Sequence, residues 1–451
     1  MSVQSFDLIV IGTGSAGKTV AEAAREAGKS VAIIDKQPFG GTCSQRGCDP
    51  KKVLAGAAEI IARSAQMTGK GIEVVSTINW PDLMAFKKTF TDPIPERTET
   101  KFTDEGLVQF HGVATFVDDN TVRVGDDELR ASHIVIATGQ RPQPLNIPGE
   151  ELLIDSTGFL ELPQLPNQLI MVGGGYIAFE FAHIAARAGA AVTIVHKGKR
   201  PLEGFDADVV SLLVKAMESI GIRFVLEATV SAIEGQPGNL TVRYNQQQKE
   251  HSVTANLVVH AAGRVADIAE LALGKANVDV SKKGVVVNEY LQSVSNPAVY
   301  ACGDVADKGL PLTPMAGYEG GIVSGNILNG NHKTFLDSPV PTTVFTVPPL
   351  ASVGLTEEQA KQQGRRVKVT FKETTDWYSS RRMNEPTSGF KTLVDEETGQ
   401  LVGAHLLGAG SDEVINLFAL AMKHQIPANA LGDMHFAYPT HTSDMKYMLS
   451  D

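Results

Sequence analysis

The chain has 451 residues, enough for about three domains with separate hydrophobic cores. Apolar residues supply 43% and charged residues 20%, a globular balance, and no apolar run approaches the ~20 residues a membrane-spanning helix needs. A net charge of −11 argues against nucleic acid or an anionic membrane as the main partner, and three cysteines are too few for a disulfide scaffold.

The N-terminus, MSVQSFDLIVIG, enters a strand almost at once without the pattern of a secretory leader, so a cytoplasmic location is expected. The strand Asp7–Ile11 runs into GTGSAG (Gly12, Gly14, Ser15, Ala16, Gly17), then an Ala-rich helix, then Val31–Ile34 ending at Asp35. The plan recurs. Leu169–Val172 runs into GGGYIA (Gly173, Gly175, Tyr176, Ile177), a second Ala-rich helix, and Val192–Val195 ending at His196. The spacing from first glycine to strand end is the same, 12 to 35 and 173 to 196. One glycine-rich turn is weak evidence, but strand, turn, helix and strand in one register twice predicts two dinucleotide-binding β-α-β units. In such a unit the first glycine allows the tight turn, the second admits a pyrophosphate, and the third small residue lets helix and strand pack closely.

The residue ending the second strand faces the adenosine ribose. Asp35 suits an unphosphorylated ribose such as that of FAD. His196, with Lys197, Lys199 and Arg200 after it, has no acid and would attract a 2′-phosphate, so NADPH is expected ahead of NADH.

Between these units lie Cys43 and Cys48. With no further Cys or His in the segment, redox chemistry explains the pair better than a metal. Four intervening residues can form one helical turn, and a cysteine at a helix N-terminus with Lys51 nearby has its thiolate favoured. Cys302 lies in an apolar, strand-like context and reads as core. Punctuation divides the chain at a Pro-rich connector (Arg141–Pro148), at the end of the second unit (Gly263) and near Pro339. The expected domains are 1–148, 149–263, a central segment 264–338 completing the first, and 339–451. The last alternates in strand fashion, with a helix over Glu413–His424.

GGTCSQRGCDPKK resembles the redox-disulfide segment of the group I pyridine nucleotide–disulfide oxidoreductases, the family of glutathione reductase, dihydrolipoamide dehydrogenase and mercuric reductase. GTGSAG, IATG, GGGYIAFE, AAGR, YACGDVAD with LTPMA, and VFTVPPLASVGLTEEQA match in the same order over nearly the whole chain. The resemblance implies an α/β fold of two doubly wound Rossmann-type domains and an α/β C-terminal dimerisation domain, assembled as a homodimer with shared active sites. It implies that Cys48 lies against the flavin while Cys43 attacks the substrate. Lys51 is expected beside the flavin N5, paired with Glu180, and Tyr176 as the lid over the ring. Asp304 is expected on the ribityl chain and Thr313 beside the ring. The same resemblance adds Lys36, Gly41, Thr42, Gly112, Ala114, Thr138, Gly139 and Gly263 to the cofactor contacts.

One segment departs from the pattern. Where disulfide-reducing members carry a His-Pro-Thr motif with a glutamate five residues after the histidine, this chain has Tyr438-Pro-Thr440 and Ser443. A histidine near pKa ~6.5 shuttles protons at neutral pH, whereas a tyrosine near ~10 is a poor base but a competent acid. Three readings follow. Tyr438 assists the leaving sulfur, or His441 with Asp444 has taken over, or the substrate needs no proton. Mercuric reductase also has tyrosine here, but this chain ends without that enzyme's C-terminal cysteine pair. Gly321 replaces the arginine by which glutathione reductases bind glutathione, and the missing histidine weakens lipoamide. The implied function is electron transfer from NADPH through FAD and the Cys43–Cys48 disulfide to a small disulfide or related sulfur substrate. Alternatives are a metal-ion reductase, a direct flavin reductase of quinones, and a dihydrolipoamide dehydrogenase component of a complex.

Overall fold

In the computed structural model, which describes residues 3–449, β1 (Gln4–Ile11) is apolar on both faces. Leu8 and Val10 enter one core, while Ile9 and Ile11 enter another. A strand with no polar face belongs inside a sheet covered on both sides. β1 accordingly lies in a seven-stranded sheet, between β2 (Val31–Asp35) and β6 (Asp127–Ile136), parallel to both. β3 (Val108–His111) flanks β2, and β5 (Thr121–Val124) and β4 (Ala114–Asp118) extend the far edge. The late strand Val299–Ala301 pairs with the C-terminal end of β6. The segment 264–337 thereby completes a unit formed with residues to Lys51 and 86–144. Helix α1 (Ser15–Glu26) packs on this sheet and along the helix Thr313–Asn329.

A second compact unit takes in 52–85, 145–262 and the chain from 338. Its parallel sheet has the order Arg223–Val225, Ala191–Val195, Gln168–Val172, Leu257–His260, with Met171 opposite Ile194. An antiparallel three-stranded sheet follows over Ala228–Ala255. The chain then builds a five-stranded antiparallel sheet, in the order Thr342–Val344, Leu350–Gly354, Leu401–Leu407, Gly389–Asp395, Val367–Glu373. Ser411–Lys423, slightly earlier than expected from sequence, is the helix packed on its Leu350 and Leu401 strands. No helix among the described residues is long and apolar enough to cross a membrane.

Candidate active site

The two cysteines do not share one continuous helix. Cys43 lies in α2 (Gly41–Arg46), Gly47 breaks the chain with φ −142° and ψ −116°, and Cys48 opens the 19-residue helix α3 (Cys48–Gln66). The break puts Cys48 at a helix N-terminus, where unpaired N–H groups and the dipole favour an anion. The Cys43 thiol donates to the Cys48 sulfur, and Thr313 Oγ1 lies 3.4 Å from that sulfur. Cys43, Thr313 and the Lys51 cation outweigh burial and hold the Cys48 thiol down at about 6. The same hydrogen bond, reinforced by burial, holds the proton on Cys43. The reduced pair is therefore one thiol and one thiolate, with the charge on Cys48. Cys302, wholly buried, has its thiol pushed up by burial and is core, as expected.

Around the pair, the first glycine turn forms a cradle. Gly12 has φ +114°, and any Cβ there would run into the Ala137 carbonyl. Gly14 caps α1 with no side-chain hydrogen bond, and a Cβ on the facing Gly41 would stand 2.4 Å from Gly14 Cα, so the backbone beside the helix end has no room for a side chain there. Thr138 Oγ1, at the end of β6, is buried with no partner among the described residues. Open helix amides and an orphan hydroxyl fit a bound dinucleotide such as FAD. Asp35 ends β2 as expected, but its Oδ2 accepts from Thr13 N (2.9 Å) and Thr13 Oγ1 (2.7 Å), and its Oδ1 from Gln37 N (2.9 Å). A carboxylate has about four acceptor positions, so capacity for a ribose hydroxyl remains. Lys36 is committed to Glu270 at 2.5 Å and Asp267 at 3.0 Å. Gly112 N donates to Asp35 O, Ala114 opens β4, Gly139 O accepts from Asp267 N, and Gly263 O accepts from Gln143 N. Thr42 is exposed, and burial raises the Asp304 carboxyl.

The second glycine turn repeats the cradle. Gly173 has φ +124°, and Gly175 caps the helix Tyr176–Arg187, with nothing within 4 Å of a Cβ placed on it. Tyr176 is 47% exposed. Ile177 is half-buried, while Glu180 is buried with its Oε1 accepting from Phe345 N at 2.9 Å. His196 turns inward over Gly174, its Nε2 lying 3.2 Å from Arg200 O and 3.8 Å from Glu203 Oε1. Arg200 bonds Glu203 O, so Lys197 and Lys199 are the exposed cations of this loop.

At the C-terminus Tyr438 is 76% exposed. His441 is different. Its ring packs on Gly410, and burial with Arg382 nearby pushes its pKa below the usual imidazole value. Asp444, raised by burial, takes a hydrogen bond from Ser379. Ser443 is engaged with Thr440, its N–H bonding Thr440 Oγ1 at 3.1 Å. Thr13, Glu203 and Glu319 were not anticipated from sequence. Thr13 hid in a variable position of its motif, and the two acids stood alone in loop and helix.

Two nucleotide cradles, a polarised dithiol and a C-terminal antiparallel sheet define a nicotinamide-linked dithiol flavoenzyme. Residues 6–320 match the family model for pyridine nucleotide-disulphide oxidoreductases, and 340–449 match the family's dimerisation domain. The chain belongs to this family. It is 33% identical to a glutathione reductase from a Nostoc species, covering 93% of this chain and 94% of that one. It is 32% identical to a mercuric reductase from Staphylococcus aureus (98% and 81%) and 30% identical to a dihydrolipoyl dehydrogenase from Chlamydia pneumoniae (97% and 95%). Among solved structures it resembles the HOCl-induced flavoprotein disulfide reductase RclA from Escherichia coli, with TM-score 0.87, 28% identity, and 98% and 99% of the two chains covered. A Cu(II) complex of RclA matches with TM-score 0.88. The α/β fold and the FAD-dependent disulfide oxidoreductase class expected from sequence both hold, with FAD and a pyridine nucleotide as cofactors and a dimerisation domain that supports a homodimer.

Proposed function

We propose that this enzyme carries electrons from NADPH to a small disulfide or related sulfur substrate through Cys43 and Cys48. The observation that carries the reading is the placement of the dithiol, with Cys43 in α2, Cys48 at the N-terminus of α3 and Thr313 Oγ1 3.4 Å from the Cys48 sulfur. Gly12, Gly14, Gly17, Thr138 and Asp304 would hold FAD, which, when bound, supplies an acceptor for hydride from the nicotinamide and a donor of the electron pair to the disulfide. Lys51 would keep positive charge beside the reduced, anionic flavin. Tyr176 gates the nicotinamide, and Lys197 and Lys199 attract the 2′-phosphate. The open helix end at Gly175 supports the same placement.

In the substrate half-reaction the proton of the Cys43–Cys48 hydrogen bond passes to Cys48, the Cys43 thiolate so formed attacks a substrate sulfur, and the S–S bond of the substrate breaks. The departing thiolate takes that proton from Cys48 while the partner subunit's Tyr438 donates a hydrogen bond to it. The Cys48 thiolate then attacks the Cys43 sulfur of the mixed disulfide, re-forming the protein disulfide and expelling the second thiolate. The substrate gains two electrons and the dithiol loses two. His441 is the weaker candidate, because its ring packs on Gly410 and burial disfavours its protonated form, whereas Tyr438 is exposed.

The test is anaerobic reduction with NADPH, then reoxidation by disulfides, polysulfides, quinones and metal ions in parallel. Turnover restricted to sulfur acceptors and lost in Cys43→Ser supports the reading, while full activity in Cys43→Ser overturns it. The same preparation gives kcat/KM for both nicotinamides, and a tenfold preference for NADH would remove NADPH from the proposal. A second reading is reduction of a thiophilic metal ion. The likeness over the whole chain to a protein solved as a Cu(II) complex favours it. Two Cu(II) ions would each take one electron as the dithiol closes to a disulfide, and the Cu(II) arm of the panel decides it.

A further inference from the structure

Glu319 has no place in the reaction just described, yet it is only 1% exposed. It lies in the second turn of the Thr313–Asn329 helix. Its Oε2 accepts the Gly303 N–H at 2.7 Å, and its Oε1 lies against Gly309, 2.5 Å from where a Cβ there would stand. One carboxylate thus ties the helix whose first residue touches the Cys48 sulfur to the Cys302–Gly303–Asp304 turn. An apolar side chain could fill the same volume without the cost of burying a charge. The titratable groups facing Glu319 are Asp304 and Cys302, and Arg264 acts on Asp304 in turn. Helix α1 meets the Thr313 helix at Gly320 through Ala16 and Thr19, neither titratable. On the Gly309 side stands the Phe335 ring with Lys308 over it. Burial raises the Glu319 carboxyl, the Gly303 amide opposes this and Asp304 adds to it, leaving it at about 7.

We propose that Glu319 is a positioning residue of the flavin site: it locks the Asp304 turn onto the helix bearing Thr313, and its charge sets how readily the flavin–dithiol pair accepts electrons. The inference rests on the proposed placement of FAD beside Asp304 and Thr313. A fixed negative charge in a buried site opposes the addition of electrons nearby, so neutralising it makes the flavin easier to reduce. A carboxyl that changes charge near neutrality makes that ease pH-dependent.

The experiment uses the flavin-loaded enzyme and two variants, Glu319→Gln and Glu319→Asp. FAD affinity is measured by titrating apoprotein, and the flavin midpoint potential is followed from pH 5.5 to 8.5. Wild type should have an inflection near neutrality. Glu319→Gln, which still accepts from Gly303 N, should hold FAD within threefold, be easier to reduce and lose the inflection. Glu319→Asp, too short to reach Gly303, should weaken FAD at least tenfold. A wild-type profile of unbroken slope near neutrality, or an inflection unchanged in Glu319→Gln, overturns the proposal. If Glu319→Gln holds no FAD, Glu319→Leu, which fills the same volume without a carboxylate, decides at saturating FAD, and an inflection left in place there overturns it. Wild-type apoprotein that takes up no FAD would instead sink the functional reading on which this one rests.

Discussion

At the scale of the residue, one proton decides what the dithiol can do. Only a thiolate attacks or resolves a disulfide, and Cys48 is the residue held in that state. Its thiol is lowered to about 6 by Cys43, Thr313 and Lys51 acting together. The sign is plain: above pH ~6 the reduced enzyme carries the Cys48 thiolate, and below it the thiolate is lost. Thiolate absorbance of the reduced enzyme should therefore fall away through about pH 6, not through the ~8.5 of an ordinary cysteine. Lys51→Met should move the midpoint up by about 1 unit, the usual effect of losing one adjacent opposite charge. A wild-type midpoint near 8.5 would contradict this. Sequence made the cysteines and Lys51 legible because they share a short segment. Thr313 as the hydrogen-bond partner of Cys48 was out of reach of any local reading, since 265 residues separate the two.

At the scale of the element, the doubled β-α-β unit was readable from period and punctuation alone, because parallel strands buried on both faces leave continuous apolar runs. The C-terminal strands were harder. Phe390-Lys-Thr-Leu-Val394 reads as an alternating strand with a wet face, but Lys391 and Thr392 are as buried as Phe390. What covers Lys391 comes from distant segments. Asp206 caps the helix Ala207–Ser219 and lies 3.0 Å from the ammonium, Asp208 lies at 2.5 Å, and Glu357, opening the helix Glu357–Gln362, at 2.7 Å. Three acids around one lysine pin two helix starts to the middle of a strand. Lys391→Met leaves the buried Asp206 carboxylate without its cation, which typically costs about 3–5 kcal/mol. The apparent thermal midpoint should fall by at least roughly 6 °C, at 2–4 °C per kcal/mol for a unit of this size. A loss below about 2 °C would mean that the acids repartner with solvent.

At the scale of the whole molecule, the proposed role of Tyr438 makes the dimer part of the chemistry. Sequence resemblance supplied the homodimer, while the exposure of Tyr438 explains how the residue can serve another copy of the chain. Where each site of a closed two-fold dimer is built from both chains, as proposed, two different defects can complement each other. Cys43→Ser and Tyr438→Phe homodimers should each be impaired, the first without disulfide turnover and the second at least tenfold slower, within the range lost with a positioned acid or donor. Mixed dimers, isolated by two different affinity tags, place an intact Cys43 with an intact Tyr438 in one of the two sites. They should recover about half the wild-type activity, since the other site carries both defects. If Tyr438 served the cysteines of its own chain, each site of the mixed dimer would carry one defect and activity would stay at the variants' level. His441→Ala run beside them closes the question. If that change and Tyr438→Phe both leave turnover within tenfold of wild type, the departing sulfur needs no protein donor, and the substrate is one whose leaving group is stable as an anion.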